Sequence, residues 1–321
     1  TAGDTSQFAL SNTTSSPVAA GGSTSFKIRF DPSTVGGKSA TVTVSSDAPV
    51  PKNLYTFTVT GTGSFAPKVY WTGRDNGIVM KANLNGSNPE TVFSGLYDPT
   101  GLAIDQSNNY MYIGECYGNS ILKAPLDGST SPTTISTGGG GPYGVAVDAV
   151  NGKVYWASFL GPYNLYSANL DGSGIFGIPS GALPFGIAVN PYTSDLFWSD
   201  YSYGLIFRTD KSLASGSGAP FMGGGGYGAA GGLAIDSTNN YLYWVEQAMG
   251  QVCRMDISNP VRQVIAGGGS PDSIAVDPAD GWVFWGNHYS QLWRSNLDGS
   301  NAMMISGGGG RIYGIALDLV D

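Results

Sequence analysis

Proton transfer and nucleophilic catalysis need a positioned base, and this 321-residue sequence holds a single histidine, His288. It stands beside Tyr289, and no GxSxG, HExxH or CxxC pattern accompanies it. It therefore reads as a loop residue, not a general base. Glu115, Asp200 and Glu246 recur at equivalent places in a repeating pattern. A carboxylate pair among them could serve glycoside hydrolysis, but equivalent positions two or three repeats apart are too widely separated. Cys116 and Cys253 lack zinc-type or disulfide-framework spacing and are expected to remain unpaired. Five acids that close short apolar runs, Asp105, Asp148, Asp236, Asp277 and Asp318, occur once per repeat. One acid per repeat does not converge on an oxygen cage, so no metal or cofactor is expected, and each acid is assigned to the turn that follows it.

The chemistry left over is aromatic. Tyr117, Phe159, Tyr163, Tyr201, Tyr203, His288 and Tyr289 follow one recurring motif, and Tyr143, Phe185, Tyr227 and Tyr313 precede another. Tyrosine combines rigid apolar area with a hydrogen-bonding tip, which suits contact with a protein segment or a glycan. The alternative for each ring is packing between structural units, with only loop-tip rings left free to bind.

The elements that must position these residues are legible as repeats. The tetrads YWTG, YIGE, YWAS, FWSD, YWVE and FWGN begin at Tyr70, Tyr112, Tyr155, Phe197, Tyr243 and Phe284, with steps of 42, 43, 42, 46 and 41 residues. Runs of the form GxAxD begin at Gly101, Gly144, Gly186, Gly232, Ser273 and Gly314. Turn signals of the form LNGS or LDGS at Leu84, Leu126, Leu170 and Leu297 mark hairpins. Repeats of about 40 to 45 residues holding several short strands indicate propeller blades, and six tetrads indicate six blades. The last GxAxD run has no tetrad after it and the first tetrad has no such run before it. The strand from Gly314 to Asp318 is therefore expected to join the blade of Tyr70 and Trp71 and close the ring. The tetrad aromatics are assigned to the core. Loops entering each GxAxD strand and loops following each tetrad share one face. Glycine runs in the entering loops, from Gly138, Gly223, Gly267 and Gly307, lack the GxxxxGKS/T pattern and a following helix, so they read as solvent loops rather than phosphate cradles.

Composition narrows the partners. Glycine supplies 49 of 321 residues, about twice the usual ~7%. Charged residues make up 12%, against an average near ~25%. The net charge is −8 and no Lys/Arg run occurs, which disfavours nucleic acid and anionic membrane. No apolar stretch approaches the ~20 residues that span a bilayer. The start Thr1-Ala2-Gly3-Asp4 shows no leader pattern, as expected of a mature or truncated chain.

Residues 68–321, with six tandem tetrads, resemble the YWTD repeats of the LDL-receptor class B family. That resemblance implies a six-bladed propeller acting in extracellular recognition. The tetrad's terminal aspartate is kept only at Asp200, so an inter-blade network built on that acid would be incomplete. Residues 1–63 carry strand-like runs at 8–10, 25–30, 40–46 and 55–61, separated by Pro and Gly. The run from Gly21 to Phe30, Asp31-Pro32 and the closing Thr60 to Gly63 resemble the C-terminal half of the ASH or choice-of-anchor-D type of immunoglobulin-like domain. That likeness implies a bacterial cell-surface or secreted protein. It also implies a partial sandwich lacking ~three strands, supplied by preceding chain or by a neighbouring copy. The expectation is thus an all-β chain: a partial immunoglobulin-like β-sandwich at 1–63, a linker at 64–67 and a six-bladed β-propeller at 68–321. Its expected role is non-catalytic recognition or adhesion, binding a protein or glycan on one propeller face. The alternatives are a structural subunit of a surface layer or filament and, third, a lactonase- or esterase-like hydrolase.

Overall fold

The computed structural model describes residues 2–3, 5, 8–10, 25–30, 36–46, 54–63, 67–138, 140–160, 164–214, 216–222 and 230–319. The chain divides into two units, Thr1–Ala66 with Val320, and Pro67–Leu319 with Asp321.

The larger unit is a ring of six four-stranded antiparallel sheets. From the axis outward, the third blade runs Pro142–Asp148, Lys153–Ser158, Leu165–Asn169 and Phe176–Ile178. The other blades repeat this order, so every GxAxD run is an innermost strand and every tetrad lies on the second strand. In the first blade the innermost strand is Ile315–Asp318, which pairs antiparallel with Lys68–Trp71. Gln106 Nε2 of the second blade donates to Leu317 O and Leu319 O at 3.4 and 3.1 Å, holding that strand in place.

Strand alternation explains why the tetrads carry two aromatics. Successive side chains point to opposite faces of a blade. Tyr70, Tyr112, Tyr155, Phe197, Tyr243 and Phe284 pack against the following blade. Trp71, Trp156, Trp198, Trp244 and Trp285 pack against the preceding one, and Ile113 takes that place in the second blade. The core is accordingly six separate apolar layers, one per blade junction.

Hydroxyls bridge four of these junctions close to the axis. Thr72 Oγ1 donates to Thr100 O at 2.8 Å and accepts from Gly314 N at 2.9 Å. Ser199 Oγ donates to Gly231 O at 2.6 Å. Where the third tetrad residue is glycine, the innermost strand supplies the hydroxyl instead. Thr100 Oγ1 donates to Pro142 O at 2.6 Å and Ser273 Oγ to Ile312 O at 3.0 Å. Farther out, the leucine carbonyl of each hairpin turn receives the preceding blade. Tyr112 Oη donates to Leu170 O at 3.1 Å, Arg254 Nη1 to Leu297 O at 2.9 Å and Arg294 Nη1 to Leu84 O at 3.1 Å.

The smaller unit contains a three-stranded sheet, ordered Ala2–Gly3, Gly36–Ser45, Leu54–Gly63, and a two-stranded pair, Phe8–Leu10 with Ile28–Phe30. Phe8 and Phe30 approach at 4.9 Å between ring centroids, and Phe26 stacks on Phe57 at 6.2 Å.

Candidate functional site

The glycine of GxAxD sets how closely the blades meet at the axis. A methyl group at Gly144 would lie 2.5 Å from Phe185 O and 2.9 Å from Ile187 N of the next blade, and one at Gly232 would lie 2.9 Å from Ser273 Cα. Gly101, Gly186 and Gly314 meet their neighbours' backbone in the same way. The resulting constriction leaves a space of about 40 Å³. On one side the axis widens to a cavity of about 310 Å³ walled by residues that include Ile104, Val147, Val189, Ile235, Val276 and Leu317.

On the other side lie the residues that stand just before these glycines. Three of these are aromatic and they plug the axis. Ring centroids of Tyr143 and Phe185 are 5.0 Å apart, of Phe185 and Tyr313 5.8 Å, and of Tyr143 and Tyr313 6.0 Å. Phe185 belongs to the fourth blade and Tyr313 to the first, on opposite sides of the ring, so their contact crosses the axis. Burial pushes the Tyr313 phenol up to about 12 and raises Tyr143 as well. Tyr143 and Tyr313 are therefore half-buried parts of the floor rather than free rings.

Paired charges cover this floor. Arg74, in the short 3-10 turn Arg74–Asn76, grips Asp98 with two hydrogen bonds of 2.5 and 3.0 Å. Its guanidinium lies 4.8 Å from the Tyr313 centroid, 5.5 Å from Tyr143 and 5.8 Å from Tyr117. Burial works against that charge, but the Asp98 hydrogen bond and the attraction of Tyr143, Asp98 and Tyr313 together outweigh it and hold Arg74 more firmly protonated than usual. Arg311 donates to Asp75 through Nη2 at 2.6 Å and Nε at 2.9 Å, which draws the Asp75 carboxyl below its ordinary value. His288 Nδ1 meets the fully buried Asp272 at 2.9 Å, and Gln247 Nε2 donates to the other oxygen of that carboxylate. Burial raises the Asp272 carboxyl while His288 pulls it down. His288 Nε2 faces Arg311 Nη1 at 3.5 Å. The relay from Gln247 through Asp272, His288 and Arg311 to Asp75 thus straps the fifth, sixth and first blades together.

The free aromatics form a rim outside this floor. Tyr203 is 73% exposed, Tyr289 69%, Tyr97 64% and Tyr117 62%. Phe159 and Tyr201 are about half as open, Tyr201 stacks on Phe185 at 5.5 Å and Phe159 reaches Tyr143 at 5.5 Å. Leu160 and Met249 add exposed apolar surface in the third and fifth blades. Tyr163 and Tyr227 lie outside the described residues.

Several participants escaped the sequence reading: Arg74, Asp75, Tyr97, Asp98, Gln247, Asp272 and Arg311. All sit in the two loop sets that the repeats define. In a chain with 12% charged residues, any charge in those loops was a usable signal.

The terminal tetrad carboxylates act within their own blades. Glu115 accepts Tyr97 N at 2.8 Å and Ser120 Oγ at 2.7 Å, and Glu246 is held by Arg262 through contacts of 2.8 and 2.6 Å. Asp200 Oδ1 accepts Ser202 N at 2.8 Å, while its buried Oδ2 has no partner. Of the GxAxD acids, Asp105, Asp148, Asp236 and Asp277 cap the turns that follow them, Asp105 and Asp148 through Asn108 and Asn151. Cys116 and Cys253 are buried free thiols, pushed up by burial to about 11 and about 12. Among the described residues, no group of three or more His, Cys, Asp or Glu side chains could hold a metal ion. No helix among them is long and apolar enough to cross a membrane.

The class these features define is the six-bladed β-propeller. No family model matches the chain. A propeller from a nidogen/laminin complex superposes on 79% of this chain and 98% of its own, with TM-score 0.71 and 20% identity. TolB from Acinetobacter baumannii matches 80% of this chain and 68% of its own, with TM-score 0.64 and 15% identity. XC5397 from Xanthomonas campestris, described as a gluconolactonase, matches 67% and 78%, with TM-score 0.55 and 16% identity. At these identities the likeness establishes the fold, which is shared by proteins with different tasks.

Proposed function

We propose that the propeller is a non-catalytic extracellular recognition module that binds a protein partner on the face carrying the aromatic rim. The observation that carries this reading is the combination of exposed tyrosines, from Tyr97 and Tyr117 in the second blade to Tyr203 and Tyr289 in the fourth and sixth, around a closed floor of paired charges. Tyrosine is enriched among the anchors of protein interfaces. The nidogen/laminin relative, a propeller in a complex with another protein, supports it by analogy of fold.

Hydrolysis is disfavoured by the same geometry. A histidine on a buried carboxylate is half of a general-base arrangement, but His288 Nε2 faces a guanidinium where a substrate or nucleophile hydroxyl would have to stand. The test is a binding screen of the intact chain against extracellular proteins and glycans, repeated with Tyr203→Ala and Tyr289→Ala. A protein ligand whose Kd rises about 30-fold in either variant, with unchanged melting temperature, supports the reading. Ligands bound equally by both variants sink it, as does ester or lactone turnover abolished by His288→Ala.

A further inference from the structure

The sequence holds three Asn-Gly pairs, at Asn76, Asn85 and Asn151, and all three asparagines are exposed. An asparagine followed by glycine is a reactive setting for deamidation, because no side chain on the next residue shields its amide nitrogen. In each pair the glycine N–H closes a turn. Gly77 N donates to Arg74 O at 3.2 Å, Gly86 N to Asn83 O at 2.8 Å and Gly152 N to Ala149 O at 3.4 Å. What separates the three is the asparagine side chain. Asn85 Oδ1 accepts Ser87 N at 2.9 Å and Ser87 Oγ at 2.6 Å, and Asn151 Nδ2 donates to the fully buried Asp148 at 2.8 Å. The Asn76 amide has no hydrogen-bond partner among the described residues.

We propose that Asn76 is a self-modification site, the first Asn-Gly pair of the folded chain to deamidate. The amide nitrogen of Gly77, its proton lost to solvent, attacks Asn76 Cγ. The Cγ–Nδ2 bond breaks, and the leaving nitrogen takes a proton from water and departs as ammonia. Water then opens the five-membered succinimide at either carbonyl, giving aspartate or isoaspartate, so water is the only co-reactant. To reach the attacking geometry Asn85 must first give up its two serine bonds and Asn151 its carboxylate bond, whereas Asn76 gives up no side-chain bond. One hydrogen bond of ordinary net strength slows such a step about fivefold. The product bears on the charged floor, because Asn76 ends the turn that carries Arg74 and Asp75. Aspartate sets a second carboxylate beside Asp75, the partner of Arg311. Isoaspartate also lengthens the backbone by one methylene next to Gly77, where even a Cβ would stand 2.4 Å from Leu96 O. The chemistry is independent of the recognition proposed for the rim.

The test is a time course on the full chain at mildly alkaline pH, digested at intervals and mapped by mass spectrometry, with short synthetic peptides covering the three sites run alongside. The peptides should react at similar rates. In the folded chain Asn76 should lead Asn85 and Asn151 by about fivefold or more. Asn76→Gln should remove the leading product, and Ser87→Ala should speed Asn85 while leaving Asn76 unchanged, both variants melting as wild type does. An Asn85 or Asn151 that keeps pace with Asn76 in the folded chain overturns the proposal. So does an Asn76 that stays intact while its peptide reacts, or a Ser87→Ala chain whose Asn85 is no faster.

Discussion

Replacing Gly144 by alanine tests whether the axial glycines set the closure of the ring. The added methyl would stand 2.5 Å from Phe185 O, 2.9 Å from Ile187 N and 3.1 Å from Gly186 Cα. All three are backbone atoms of the adjacent innermost strand, so no side chain can rotate away. Relief requires the third and fourth blades to separate by several tenths of an ångström. In a ring closed by Ile315–Asp318 on Lys68–Trp71, that displacement is passed to every other junction. Overpacking of a well-filled core costs ~1–3 kcal/mol, and an unyielding backbone puts this site at the upper end, about 3 kcal/mol. For a unit of this size the melting temperature should fall by roughly 6–12 °C. Differential scanning calorimetry reads it directly, with Gly267→Ala as the comparison. A methyl there meets only Gly250 O, at 3.3 Å, and should cost less than about 1 kcal/mol. A Gly144→Ala protein that melts within ~2 °C of wild type would refute the argument that blade spacing is fixed at the axis.

Two further outcomes follow from buried polar groups. Thr72→Val keeps the shape but strands Thr100 O and Gly314 N, and should cost about 2 kcal/mol in denaturant unfolding; a loss under ~0.5 kcal/mol would mean the hydroxyl bridge is dispensable. At Asp272, burial raises the carboxyl pKa to about 6, above its unfolded value, so folding takes up a proton there. That contribution is present at low pH and lost as pH rises from about 4 through about 6. Wild type should therefore gain stability relative to Asp272→Asn as pH falls from 7 toward 5, and parallel pH curves for the two proteins would contradict this.

Periodicity made the ring legible. Six tetrads, four of them followed by an LNGS or LDGS hairpin signal, state the blade count, and the unpaired final GxAxD run states where the ring must close. The roles of individual residues were less visible, for a physical reason: a repeat shows what all blades share, whereas the site is built from what each blade does differently. The residue before the axial glycine, or before Ser273 in its place, is Thr100, Tyr143, Phe185, Gly231, Asp272 or Tyr313 in turn. Nothing in spacing alone says that Phe185 and Tyr313 reach across the axis, or that Asp272 sits beneath His288. Tyr143 and Tyr313, counted among the candidate binding rings from sequence, form part of the plug because each stands just before an axial glycine. Tyr203 and Tyr289 follow tetrads and stay outside. The hairpin glycines hid a second role too, since Gly86, Gly172 and Gly299 lie against Ile305 O, Ile135 O and Ile265 O of the preceding blade's outer strand.

The charge arrangement of the face argues for what kind of contact it can make. Arg74 and Arg311, the guanidiniums over the floor, are each bound to a carboxylate, and the histidine rests on a third. A charged ligand would gain only by displacing one of these partners, and breaking a buried pair such as Arg74 and Asp98 leaves an uncompensated charge at a cost of ~3–5 kcal/mol. An uncharged aromatic or amide surface meets no such obstacle. It can settle on Tyr97, Tyr117, Tyr203 and Tyr289 while the ion pairs stay closed beneath it. The Arg74–Asp98 and His288–Asp272 pairs hold the segments beside Tyr97 and Tyr289, so the charges that oppose an ionic role for the centre also fix part of the rim. The recognition proposed for the rim would leave the pairs of Arg74, Arg311 and His288 closed.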